Sequence, residues 1–336
     1  MKSMYKLLLG FVAIAALSVF VSCEGPEGLA GADGADGLAG EDANTVCLEC
    51  HTSVIMDAIE GQFALHKHTT ENGGAWGRGT SDDCAQCHSS EGFANFLNSG
   101  ESIGVTNPGG LTCSSCHGNH SSLEAENIEA PLVTSAGPIA MTDGTTVFDN
   151  GDGNLCANCH QSRRPAGYYT DLYFGTDTAV AWNGTDPVNI PNSHAGPHHG
   201  PQANVIAGID GFTLAAVTTE PHHASCNKCH MNDEEAGYGH SFVPNIASCN
   251  ECHGDAVDVE SMMTATNARI TAVGDALVLA GALTSEDGEY SPNPGDVSPD
   301  VFKAWWNFMI IIEDRSKGMH NPDYIDALLS YCEDKL

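Results

Sequence analysis

The chain has 336 residues with 12 Lys plus Arg against 44 Asp plus Glu, a formal charge of -32 at pH 7. So acidic a surface repels phosphate backbones, which excludes nucleic acid as a partner; it keeps the chain soluble or, alternatively, suits docking to basic proteins, cations or mineral surfaces. Only 17% of residues are charged, and 37 Gly and 15 Pro require abundant loops.

Lys2 and Lys6 precede an uncharged apolar run from Leu7 to Val21. A membrane-spanning helix needs about 20 apolar residues, so this shorter run is read as an export signal. It ends at Val21-Ser22-Cys23, which resembles a bacterial lipoprotein signal, although Phe20 stands where such signals prefer an aliphatic side chain. The expectation is a signal peptide over 1–22 and lipidation of Cys23; the alternative is an ordinary signal with an incidental cysteine. Glycine then recurs at 25, 28, 31, 34, 37 and 40. These triplets are too few and too poor in proline for a stable collagen trimer, so 23–43 reads as a lipidated cysteine followed by a Gly-X-Y tether.

Six Cys-x-x-Cys-His strings follow: Cys47, Cys50 and His51; Cys84, Cys87 and His88; Cys113, Cys116 and His117; Cys156, Cys159 and His160; Cys226, Cys229 and His230; Cys249, Cys252 and His253. Two thiols three positions apart fall on one helical turn and can each bond a haem vinyl group. The next residue then offers an imidazole to the iron. Zinc sites, thiol–disulfide exchange and disulfide frameworks also use paired cysteines, but none has reason to place histidine after every second cysteine. Twelve of the 14 cysteines lie in these strings, so six haem c groups are expected, with those six histidines as proximal ligands. The intervals between first cysteines are 37, 29, 43, 70 and 23 residues, which is no strict repeat and so no solenoid. The expected fold is mainly α with abundant loops and little regular sheet. A six-haem region spans 44–256, and the macrocycles supply much of its apolar interior. Trp76, Tyr168, Tyr169, Phe174 and Trp182 are expected to pack on porphyrin faces and edges.

Residues 257–336 carry no such string and read as helical throughout, packed on the haem core. Val259, Met263, Ile270, Val273, Leu277 and Ala280 recur at helical spacing. An acidic, proline-containing loop follows. A second helix opens on Ser298 as N-cap with Pro299 in its first turn and carries Phe302, Trp305, Trp306 and Phe308. A third opens at Asn321-Pro322-Asp323 and sets Ile325, Leu328, Leu329 and Cys332 on one face, so Cys332 reads as a buried apolar thiol.

Ten histidines lie outside the strings, at 66, 68, 120, 194, 198, 199, 222, 223, 240 and 320. A surplus near the haem count favours bis-histidine iron over His/Met pairs. The segments Cys113-x-x-Cys-His-x-x-His120, Pro197-His198-His199-Gly200-Pro201-Gln202, Gly239-His240-Ser241-Phe242 and Gly318-Met319-His320-Asn321-Pro322 resemble bacterial multihaem cytochromes c. The group is the one that includes nitrite and tetrathionate reductases, and the resemblance runs from Cys47 to Leu336. It implies distal ligands at His68, His120, His199, His222, His240 and His320, with His66, His198 and His223 as neighbouring alternatives. Those reductases often replace one motif histidine by lysine at an open iron, and no Cys-x-x-Cys-Lys occurs here.

Together these features describe an exported, lipid-anchored hexahaem cytochrome, periplasmic or at the cell surface. It passes electrons between redox partner proteins or to extracellular acceptors, and it has no catalytic residue of its own. The rival readings are a reductase of a small nitrogen or sulfur oxyanion at one open haem and a subunit of an extracellular cytochrome filament, for which an oligomer is required.

Overall fold

In the computed structural model, residues 47–48, 51–69, 75–119, 137–174, 184–217, 225–232, 239–254 and 257–336 are described. The leader, Cys23 and the glycine repeat lie outside them, as do Cys50, His120, Trp182, His222 and His223. Among the described residues, no helix is long and apolar enough to cross a membrane.

The haem region is built from short pieces. Helix α1 (Ser53–Phe63) starts where the Thr52 hydroxyl accepts from the Ile55 N–H. A 3-10 turn at Trp76–Thr80 leads to α2 (Ala85–His88) and α3 (Ser90–Ser99). Helix α3 is capped by Ser89 and ends on Gly100 at φ +75, the left-handed conformation that glycine adopts without cost. One-turn α4 (Cys113–Cys116), strands β1 (Ile139–Ala140) and β2 (Val147–Phe148), and α5 (Gly153–Ala157) follow. Next come α6 (Ala166–Phe174), β3 (Val188–Ile190), α7 (Gln202–Ala207), α8 (Cys226–His230) and α9 (Asn250–His253).

The C-terminal region differs. Helix α10 (Val259–Leu279) has Asp258 as N-cap. The segment expected as a loop is instead β4 (Leu283–Glu286) paired antiparallel with β5 (Glu289–Pro292), followed by β6 (Gly295–Val297). Alternation across Thr284, Tyr290 and Ser291 is too short and too polar to stand out as strand in the sequence. Helices α11 (Pro299–Asp314) and α12 (Pro322–Lys335) start on the Ser298 and Asn321 caps with proline in the first turn, as the sequence indicated. Strand β6 pairs with β3, which comes from the haem region, so Val188 faces Val297 and Ile190 faces Gly295 across a two-stranded sheet.

The main apolar core lies among α10, α11 and α12. Phe302, Trp305, Trp306, Phe308, Ile310, Leu277 and Leu328 are fully buried there, joined by Val188, Ile190 and Val205. Tyr169 also belongs to this core, at 5.9 and 5.8 Å from the rings of Trp305 and Trp306. This corrects its expected place on a porphyrin, and the aromatic face of α11 is likewise spent on protein core. Cys332 is buried there too, its burial pushing the thiol up to about 12. A smaller cluster of Met141, Phe148, Ala157, Ala203 and Ile206 closes the floor beneath α5 and α7.

Candidate haem-binding site

Each described motif closes a helical turn on itself. The His51, His88, His117 and His160 N–H groups donate to the carbonyls of Cys47, Cys84, Cys113 and Cys156 at 2.8–3.0 Å, and the string from Cys226 to His230 is itself α8. This i to i+4 closure sets both sulfurs and the imidazole on one side of the turn, the arrangement that spacing alone had indicated.

All these turns face one cavity of about 2810 Å³. It is several times the roughly 300–1,000 Å³ that encloses a single small ligand. Every described motif cysteine and all six motif histidines line it, together with His68, His198, His199, His240 and His320. All twelve described cysteines are free thiols, so no disulfide framework competes for them. Among the described residues, no three His, Cys, Asp or Glu side chains converge on a point that could hold a bare metal ion. The ligand-type side chains are instead spread around a volume, as a set of macrocycles requires. Lys67, Arg163, Lys228 and Arg315 line the same cavity, placing scarce cations where haem propionates need counter-charge.

The imidazoles come in facing pairs. His68 lies 6.0 Å from His160, His198 6.1 Å from His88, His240 6.0 Å from His117, and His320 6.2 Å from His230, ring centre to ring centre. Each pair joins a motif histidine to one outside the motifs. An imidazole nitrogen lies about 2.0–2.1 Å from a first-row metal and roughly 1.2 Å from its own ring centre, so two imidazoles on opposite faces of one metal stand roughly 6.3 Å apart. The four separations fit that geometry.

Hydrogen bonds at Nδ1 leave Nε2 for the cavity side. His160 Nδ1 meets Gln202 Oε1 at 3.0 Å, His230 Nδ1 donates to the Phe242 carbonyl at 3.0 Å, and His320 Nδ1 donates to Asp314 Oδ1 at 2.6 Å. Burial, reinforced by His160 and His66, lowers the His68 pKa to about 4. Burial likewise lowers His198 to about 4, aided by His199, Arg163, His88 and Arg164. Both rings are therefore neutral near pH 7 and keep the lone pair that a metal needs.

Within the ambiguous pairs the structure separates the members. His66 is not on the cavity wall; its ring packs at 4.5 Å against Phe63 and Phe242, and its Nδ1 accepts from the His68 N–H. His199, the member the resemblance favoured, is 74% exposed at its side chain and bonds Glu313 at 2.8 Å, while His198 takes the place beside His88. His198 sits at φ +70 in a turn between Gly196 and Gly200, a conformation uncommon for histidine, and both His198 and His199 line the cavity. The turn is held from the core, because the buried Tyr169 hydroxyl accepts from the Gly196 N–H and donates to the Gly196 carbonyl. His194 is exposed on the same loop, away from the cavity.

The motifs adjoin out of chain order. Gln86 Nε2 in the second string donates to the Asn158 carbonyl in the fourth at 2.8 Å, and the Cys87 thiol hydrogen-bonds that of Cys159. The Cys226 N–H in the fifth string donates to Asn150 Oδ1 at 3.0 Å, beside the fourth. Here a side chain on Gly153 would come within 2.8 Å of Cys226 Sγ, so glycine permits the close approach. The third string is tied in through Ser90 and Ser115 hydroxyls at 2.7 Å.

One solved structure agrees with this architecture. An outer cell wall cytochrome, OcwA, superposes with a TM-score of 0.52 and 19% identity over 82% of this chain. The fold is a multihaem cytochrome fold. The chain spans half the length of OcwA. An undecahaem cytochrome from the S-layer of Carboxydothermus ferrireducens matches 92% of this chain and 42% of its own at 20% identity, with a TM-score of 0.38. No protein-family model matches the sequence, and no curated protein matches it.

Proposed function

We propose that this protein is an exported, membrane-anchored c-type cytochrome that carries six haems and passes electrons along them in anaerobic or extracellular respiration. The observation that carries the proposal is the set of four facing imidazole pairs, at 6.0–6.2 Å, around a cavity lined by the motif thiols. Haem c supplies one-electron chemistry at its iron when bound. The chain's part is to hold the macrocycles through the six cysteine pairs and to exclude water from them. It would hold the irons with His160 and His68, His88 and His198, His117 and His240, and His230 and His320. His51 and His253 face the cavity as the remaining proximal ligands, with His120 and His222 as their distal candidates. Out-of-order packing of the second, fourth and fifth strings supports an electron path that does not follow the sequence.

Lipidation of Cys23 would tether this globule to a membrane through the glycine repeat, and the placement of OcwA in an outer cell wall agrees with an exported chain. Acidic surroundings favour ferric haem and low potentials, and they suit docking to basic redox partners or cationic acceptors. Mass spectrometry of the mature protein tests the proposal. Six covalent haems with a low-spin ferric spectrum are expected, and four or fewer, from a host with intact haem attachment, would overturn it.

A further inference from the structure

The ring nitrogen of His320 meets a buried carboxylate, whereas those of His160 and His230 meet neutral oxygens. His320 donates from Nδ1 to Asp314 Oδ1 at 2.6 Å, and the Asp314 side chain is 1% exposed. His160 and His230 use neutral oxygens at Nδ1, the amide of Gln202 and the carbonyl of Phe242. Asp314 ends α11, where Arg315 turns the chain into the left-handed region at φ +61. The chain then doubles back, so that the Ser316 hydroxyl and N–H both donate to Asp314 Oδ2 and the same hydroxyl accepts from the His320 N–H. A buried carboxylate is costly unless such bonds compensate it, and this one is aimed at the ligand-type histidine rather than at any Lys or Arg. No cation among the described residues forms an ion pair with it.

We infer that Asp314 is a positioning and tuning residue for the haem on Cys226 and Cys229, lowering the reduction potential of that haem. The inference rests on the hexahaem reading above. A carboxylate accepting from Nδ1 fixes the tautomer, turns Nε2 toward the cavity and makes the imidazole a stronger electron donor. A stronger axial donor stabilises ferric over ferrous iron. The tuned centre lies at the fifth string, which adjoins the fourth through Asn150 and Gly153.

The test is potentiometric titration of the intact haem-loaded protein and of Asp314→Asn, followed by optical and electron paramagnetic resonance spectra. The variant keeps the shape and weakens the acceptor. One of the midpoints should rise at least 59 mV, equivalent to tenfold in the reduction equilibrium of a one-electron centre, while the spectrum stays low-spin and the other midpoints hold. Midpoints that superimpose on the parent's, with low-spin haem retained, would overturn the inference. So would conversion of one haem to high-spin without such a rise, since that is what a purely structural prop would give. Should Asp314→Asn fail to load haem, Ser316→Ala carries the test. It removes a donor from the same carboxylate, so the same midpoint should fall, and a midpoint that stays or rises overturns the inference. Absence of haem from the parent protein would instead remove the hexahaem reading itself.

Discussion

The two ends of this chain solve the burial problem by different means. The C-terminal helices α10, α11 and α12 close on each other with Phe302, Trp305, Trp306, Phe308 and Leu328 fully buried, each such side chain stabilising by about 1.5–3 kcal/mol relative to exposure. Around the motifs the helices are four- or five-residue turns such as α2, α4, α8 and α9. Pieces this short cannot persist alone, because nucleation of a helix is unfavourable. They face a cavity of about 2810 Å³ in place of a core. One region therefore carries its own interior, and the other is a shell whose interior has to be supplied. The joints between them are specific. Tyr169 fastens the His198 turn, Gln202 reaches from His160 to the Asp314 carbonyl at 3.2 Å, and β3 pairs with β6.

The largest effect should come from withholding haem. In chain produced without haem attachment, amides of α1, α3, α8 and α9 should exchange with solvent almost freely, whereas those of α11 and α12 keep strong protection. Hydrogen exchange read by mass spectrometry checks this, and uniform loss or uniform retention across both regions would break the contrast. The converse lesion is Phe302→Ala. It should cost about 3–5 kcal/mol through the cavity left in a closed core, lowering the thermal midpoint while leaving the number of attached haems unchanged.

What the sequence disclosed follows from the same contrast. Helix α10 was legible from its apolar spacing and the starts of α11 and α12 from Ser298, Asn321 and two first-turn prolines, and the motif turns were legible because covalent chemistry dictates their spacing. Strands β4 and β5 were missed, since a four-residue polar hairpin leaves almost no periodic trace. Tyr169 in α6 was assigned to haem because composition does not say which apolar surface a ring meets; it meets Trp305 and Trp306. Asp314 had no signal at all, because an acid six positions before a histidine becomes its partner only when the chain turns at Arg315. For the paired histidines, adjacency in sequence did not say which ring stands beside a motif histidine, a place that His68 and His198 take in the structure.

An intermediate effect sharpens the shell side of the contrast. His68→Ala should open the position facing His160, so one haem becomes high-spin and binds cyanide or carbon monoxide. His66→Ala should do neither, because that ring is packed between Phe63 and Phe242 and is not on the cavity wall. Optical titration with carbon monoxide separates the two outcomes, and equal behaviour of the variants would remove the distinction between the neighbours.

The smallest effect belongs to His199, and its smallness is informative. Its side chain is 74% exposed and pairs with Glu313 at 2.8 Å. An exposed pair of this kind is worth about 0–1 kcal/mol, so His199→Ala should shift the unfolding midpoint barely and leave every haem low-spin. His198→Ala, one position earlier, should open the site facing His88 and give one ligand-binding haem, because that ring stands 6.1 Å from His88. Spectra of the two variants side by side decide which imidazole holds the iron. A high-spin signal in His199→Ala with none in His198→Ala would restore the ligand that the sequence resemblance favoured and would mean that the turn reverses when haem is bound.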